Sequence, residues 1–371
     1  MLNVSKIKES MVKHGLNQSQ LAERMKVSRE AVSKWISGES EPRPDKLLRL
    51  GMLLDLTFQD LMVRDRPYPK VNYRKKGNRI TRENHMRQAT EKADRLERLV
   101  EYLPFEQLTQ PPYLREPELD YDYIQRVAEM MRGEMGIAKN TAVDFRVLIE
   151  KFNELQAVII PVLWGEKEQH GNALHIYLPT SKTTWIYLNL DSRLIDFKFW
   201  MSHELGHTLA STLEGDEAED FADAFAQALL YPKEEAERLY NRLSKQRTIA
   251  LRIKTVLSES EKYVISPYTI YKAVGAFAAW SHQRTIDFGK NYMGAFKNYE
   301  KRCPTVIEDI RKNTDKPDAA EYISIVADIF QSPFIESLQE YSQGTEGLDN
   351  FIHTILDISL ADAKTMAEAI K

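Results

Sequence analysis

Apolar positions near the start of the chain recur at helical spacing. Ile7, Met11, Leu21, Ala22, Met25, Val32, Trp35, Ile36, Leu47, Leu50, Leu53, Leu54, Phe58 and Leu61 fall three or four apart within short segments, which predicts a packed set of short helices over residues 1–62. Turn signals separate them: Gly15 ends the first helix, Asn17 caps the second, Lys26-Val27 turns the chain before Ser28 caps the third, and Gly38 with Pro42 and Pro44 closes it. From Val63 to about Arg82 the chain is basic and carries prolines, as a linker or an arm lying along DNA would be, and a charged helix is predicted over about 82–103. The run PFEQLTQPPYLREPELD then breaks regular structure with four prolines and marks a boundary. Two helices are expected next, over 120–133 and 141–155. The apolar runs AVIIPVLW, ALHIYLP and TTWIYLNL have the length and β-branched content of strands. Beyond Pro232 the pattern is helical nearly throughout.

This pattern predicts a mainly α protein with one small β-sheet. An all-α bundle occupies 1–64, a basic linker and helix 65–120, an α+β domain 121–282, and a helical extension 283–371. At 371 residues and 43% hydrophobic, the chain is long enough for two or three cores. No long uncharged apolar stretch or signal-like start is present, so a cytoplasmic protein without membrane contact is expected. The lone Cys303 excludes a disulfide framework and cysteine-based zinc sites, leaving histidines and carboxylates to hold any metal. The net charge of −4 conceals a gradient. Residues 1–100 carry 22 basic and 13 acidic side chains, a balance of +9, and the remainder therefore stands at −13. A basic end on an acidic body suits contact with a polyanion at that end only.

The segment NQSQLAERMKVSREAVSKWISGESEP has the form of a helix-turn-helix. Val32, Trp35 and Ile36 would face inward, leaving Arg29, Glu30, Ser33 and Lys34 on the outer face near the helix start that enters a major groove. Arg29 can reach guanine acceptors and Glu30 can accept from cytosine, whereas Gln18, Ser28, Ser33 and Lys34 suit phosphate or mixed contacts. The patterns Q-x-x-L-A (Gln18 to Ala22), V-S-x-x-x-V-S-x-W (Val27 to Trp35) and G-x-x-x-P (Gly38 to Pro42) make residues 3–62 resemble the XRE-type, lambda-repressor-like family. That resemblance implies an operator DNA partner and a homodimer.

The strongest chemical signal is HELGH at 203–207. Residues four apart share a helix face, so His203 and His207 can present two imidazole nitrogens to one Zn2+, with Glu204 beside them as general base. The third ligand is sought in the following helix, GDEAEDFADAFAQALLYP. Glu219 and Asp223 lie four apart there, Glu219 as ligand and Asp223 as acceptor for a ring N–H of a ligating histidine. Glu217 is the rival ligand, and Glu214 and Asp216 are read as solvated or capping. HELGH followed by F-A-x-x-L-L-x-P (Phe225 to Pro232), and preceded by WIYLNL, resembles the ImmA/IrrE family of zinc metallopeptidases over about 121–280. The family often has Glu-Ala-Asn/Asp where this chain has Phe221-Ala222-Asp223, which leaves the ligand role to Glu219 or Glu217. The resemblance implies a zincin-like fold and a protein substrate, a DNA-bound transcriptional repressor. Tyr187, Tyr268, Tyr271 and His282 are candidate oxyanion stabilisers, while His170 and His175 are read as surface histidines flanking a hairpin at the cleft. The rival expectation is a regulator whose zinc domain senses and does not catalyse.

Overall fold

The computed structural model describes residues 2–61, 70–74, 83–105, 114–165, 173–313 and 315–371. His170 and most of the predicted basic arm lie outside the described residues. The chain forms two compact units, Met1–Tyr68 and Pro69–Lys371.

Among the described residues, the first unit is built of five helices: α1 (Val4–Lys13), α2 (Gln18–Met25), α3 (Arg29–Ser37), α4 (Pro44–Leu54) and α5 (Phe58–Leu61). Their limits follow from local chemistry. Asn17 and Gln20 form a reciprocal capping box at the start of α2, and Lys26 ends that helix in the left-handed conformation. Ser28 Oγ accepts from the Ala31 N–H at 3.1 Å, and Gly38, at φ 79°, closes α3. Leu21, Ala22, Met25, Val32, Leu50 and Leu54 are fully inside, whereas Ile36 and Leu53 are only half-buried at the rim.

The second unit is organised around a four-stranded sheet. Its strands are β1 (Lys70–Arg74), β2 (Ala157–Val162), β3 (Ala173–Leu178) and β4 (Thr183–Asn189), in spatial order β1-β3-β4-β2. β3 and β4 form an antiparallel hairpin, β1 pairs antiparallel with β3, and β2 runs parallel to β4. Pro161, which has no N–H to give, sits in β2 at the sheet's edge. β1 comes from the stretch read as linker: residues 70–74 belong to the sheet.

Both faces of the sheet are covered, which is why its strands read as continuous apolar runs without alternation. One face, carrying Ala157, Ile159, Ala173, Ile186 and Leu188, packs in a single core with residues of α7 (Tyr121–Glu134), α8 (Phe145–Glu154), α9 (Leu194–Leu209), α10 (Gly215–Leu230), α11 (Lys233–Ser244), α12 (Ile249–Tyr263) and α13 (Pro267–Trp280). Phe296 of α14 (Tyr292–Glu300) and Val306 of α15 (Val306–Arg311) join that core. The opposite face, carrying Val158, Ile160, Leu174, Ile176, Trp185 and Tyr187, is covered by α6 (Glu83–Leu99) and a 3-10 turn. The chain's end completes that cover: α16 (Ala319–Ser324) with a π-helical turn, α17 (Phe334–Ser342), α18 (Leu348–Leu356) and α19 (Leu360–Ile370). Residues 283–371 thus share the cores of the unit to which the sequence reading appended them. Among the described residues no helix is long and apolar enough to cross a membrane.

Candidate metal centre and DNA-reading face

Helix α9 carries HELGH with unusual burial: His203, Glu204, Leu205 and His207 are all at or below 5% exposure. Lys198, one turn upstream, fixes the helix by donating from Nζ to the Val143 carbonyl (2.8 Å) and the Tyr263 carbonyl (2.7 Å). Burial pushes the Lys198 ammonium down to about 8, against a smaller opposing pull from Asp144. Helix α10 packs on α9 so closely at Gly206 that a Cβ there would stand 2.9 Å from Ala222 Cα. The glycine of the motif therefore sets the approach of the helix that brings Glu219 and Asp223.

The structure brings together His203, His207 and Glu219, with one ligand atom of each within 4.8 Å of the others. His203 Nε2 and His207 Nε2 are 2.9 Å apart, and the Glu219 carboxylate lies 3.2 Å from His207 Nε2 and 3.5 Å from His203 Nε2. Ligands about 2.0–2.2 Å from a tetrahedral zinc ion stand roughly 3.3–3.5 Å from one another, so these atoms fit that ion with shifts of a few tenths of an ångström. Asp223 Oδ1 is 3.0 Å from His203 Nδ1. When the Asp223 carboxylate accepts a hydrogen bond there, the ring's hydrogen sits on Nδ1 and the Nε2 lone pair is directed at the shared point. Burial would raise the Glu219 carboxyl, but the imidazoles of His203 and His207 beside it hold it well below the usual carboxylate range. Glu217, the rival ligand, is exposed in the first turn of α10, as is Asp216; Glu214 is exposed at the N-cap before it, and none of the three belongs to the cluster.

The remaining sequence candidates are dispersed. Tyr187 lies on the opposite face of the sheet, stacked on Trp164 at 5.9 Å with Lys92 Nζ 5.0 Å from its ring, because odd-numbered β4 residues point away from α9. His282 is exposed beyond the end of α13. Tyr268 and Tyr271 stack on each other and line a 780 Å³ cavity shared by α9, α10, α13 and α14. Asp223, Phe199 and Trp200 line the same cavity, and both aromatic rings stand within 6.4 Å of the His203 ring, so the cavity adjoins the cluster.

His175 is a correction. It is no surface histidine: it lies 7% exposed on β3, on the face toward α9, with its ring centroid 6.2 Å from that of His207. Burial, with smaller contributions from His207 and His203, pushes its imidazole down to about 3. A surface placement assumed a strand open on one face, and β3 is covered on both. The signal was a single polar residue on the Ala173-His175 stripe of an otherwise apolar strand.

On the first unit, Arg29, Glu30, Ser33 and Lys34 are exposed along one side of α3, and Val32 and Trp35 are buried on the other. Lys34 Nζ pairs with Glu30 at 2.9 Å, one turn away, which lowers the Glu30 carboxyl and raises the Lys34 ammonium. Gln18 is half-buried at the first position of α2. Ser28 is exposed, and its oxygen caps α3, leaving its O–H to donate.

Residues 7–61 match the helix-turn-helix family. The first unit is thus an XRE-type helix-turn-helix, and the chain is a DNA-binding regulator. No curated protein and no solved structure is significantly similar to the chain.

Proposed function

We propose that the second unit is a zinc-dependent endopeptidase and that its substrate is a protein met at DNA, a transcriptional repressor. The observation that carries this reading is the convergence of His203, His207 and Glu219, with Asp223 orienting His203, around a helical turn that also carries Glu204. Zinc held by His203, His207 and Glu219 would polarise a carbonyl and acidify water. Glu204, buried in that same turn, takes a proton from the attacking water on its carboxylate and hands it to the departing amine nitrogen. The cavity beside Phe199, Trp200, Tyr268 and Tyr271 gives the flanking peptide an aromatic-lined place to lie.

The first unit would bring this chemistry to an operator. Leu48 and Met52 are 70% and 80% exposed, one turn apart on α4, and support the homodimer expected of such domains. Glu204→Gln tests the enzymatic reading. The variant keeps one zinc per chain and loses cleavage of the co-expressed repressor by at least about a hundredfold. A variant that still relieves repression in cells leaves the zinc unit as a sensor without turnover.

A further inference from the structure

The geometry points to His175 as the hydrogen-bond donor that holds the oxyanion formed during cleavage, a contribution from β3 outside both helices that carry the metal ligands. The inference rests on the zinc peptidase reading and names the group that reading still lacks.

Three observations carry it. The side chain is more than nine-tenths buried, and among the described residues neither Nδ1 nor Nε2 has a hydrogen-bond partner. A buried polar group without a partner is costly to keep, and it persists where a ligand or reacting atom completes it. Its position is specific. His175 stands opposite Ile186 in the hairpin, facing α9, with its ring centroid 6.2 Å from that of His207. Yet it stands outside the cluster whose three ligand atoms lie within 4.8 Å of one another, so those three residues complete a protein ligand set without it. Beside three ligands and off their shell is where a donor must sit to reach charge that develops on the substrate oxygen. A neutral imidazole donates through one nitrogen, and β3, anchored between β1 and β4, holds it on a rigid element. Tyr187, the strand candidate from sequence, points to the other face.

The experiment uses the full chain loaded with cobalt in place of zinc, and methylphosphonate as the oxyanion probe. Wild-type protein should take up one cobalt per chain and bind methylphosphonate, read from the ligand-field absorption bands. His175→Leu should keep the cobalt stoichiometry and band positions and weaken methylphosphonate by about 10- to 100-fold. It should also raise the melting temperature of the metal-free protein by about 2 °C, because an unpartnered polar ring gives way to an apolar side chain among apolar neighbours. His175→Gln, which restores a donor, should recover part of the probe affinity. Unchanged probe affinity in cobalt-loaded His175→Leu overturns the inference alone, as does a fall in metal-free melting temperature. A hundredfold loss of cobalt affinity with altered bands makes His175 a fourth ligand and overturns it too. Wild-type protein that takes up no cobalt overturns the metal centre, and this inference with it.

Discussion

Both units place a polar pair four residues apart on a helix, and they use it in opposite ways. On α3 the pair is Glu30 and Lys34, exposed and bridged to each other at 2.9 Å. On α9 it is His203 and His207, both nearly inaccessible and converging with Glu219. Solvent satisfies the first pair, so its geometry is loosely constrained and its contribution to stability small. The second pair must be completed by protein or by an ion, because buried imidazoles left incomplete are costly. Helical spacing alone therefore says that two side chains share a face. Burial decides whether they can be a surface for a partner or a centre for a metal.

The comparison breaks most readily at the metal. If the buried pair is completed by zinc, chelation should lower the melting temperature of the second unit by roughly 8 °C, reflecting about 4 kcal/mol of binding at a thousandfold excess over Kd. His203→Ala should melt at one temperature with or without added zinc, and its zinc content should fall below a tenth of wild type by elemental analysis. DNA affinity should stay within about twofold under the same chelator, since the exposed α3 pair has no part in that site. Wild-type protein whose melting is indifferent to zinc would remove the contrast between the two helices.

A smaller effect is expected from Gly206→Ala. The new methyl would meet Ala222 Cα at 2.9 Å and the Phe225 ring at 3.2 Å, and backbone yields poorly. Overpacking of this kind costs about 1–3 kcal/mol. The more telling readout is zinc affinity, because α10 must move outward and takes Glu219 with it. A fall of about 10- to 100-fold by competition with a chromogenic chelator is expected. The equivalent substitution on the exposed side of α3, Ser33→Ala, should leave the first unit's stability within about 0.5 kcal/mol.

Next in size is a pH effect from Lys198. Its ammonium is pushed down to about 8 in the fold from an ordinary 10.5. Between those values the unfolded chain binds more protons, so stability rises as pH climbs from about 8 to about 10.5, and below 8 this residue contributes no slope. The two carbonyls that accept from Nζ oppose the burial, so the gain should be about 1–2 kcal/mol. Urea midpoints between pH 7.5 and 9.5 measure it. Lys198→Met should flatten the part of that rise due to this residue, leaving the similar part from Lys92, which burial also pushes down to about 8.

These residues also mark what the sequence could carry. Helix caps at Asn17 and Ser28, the turn at Lys26 and the three apolar strand runs depend on neighbours in the chain, and all were legible. The spacing of HELGH, and of Glu219 with Asp223, needed only helical pitch. Glu219 and Glu217 remained rivals until packing at Gly206 fixed which face of α10 meets α9. His175 and Tyr187 were out of reach because strand register decides which face a residue takes. Helices remote in sequence, α9 and its neighbours over the His175 face and α6 with the C-terminal helices over the Tyr187 face, decide whether each face meets water. Residues 70–74 read as linker because an edge strand this short and basic has no apolar signature of its own.

The smallest effect tests the exposed side of the comparison. Glu30→Ala removes one member of the α3 pair, whose other member Lys34 stays in solvent. Because both groups are hydrated before and after, the melting temperature of the first unit should move by less than about 1 °C. Binding should change more than folding. If the Glu30 face of α3 meets DNA, Glu30 holds negative charge there and also occupies Lys34, so removing it should tighten non-specific DNA binding a few-fold and steepen its salt dependence toward one further phosphate contact. If Glu30 also accepts from a cytosine, the same variant loses discrimination at that one base pair, which binding to single-substituted operators would register as an effect of about 1–3 kcal/mol confined to that position. A stability loss comparable to that of a buried residue would mean that α3 depends on the pair for its fold, and the exposed and buried pairs would no longer differ in kind.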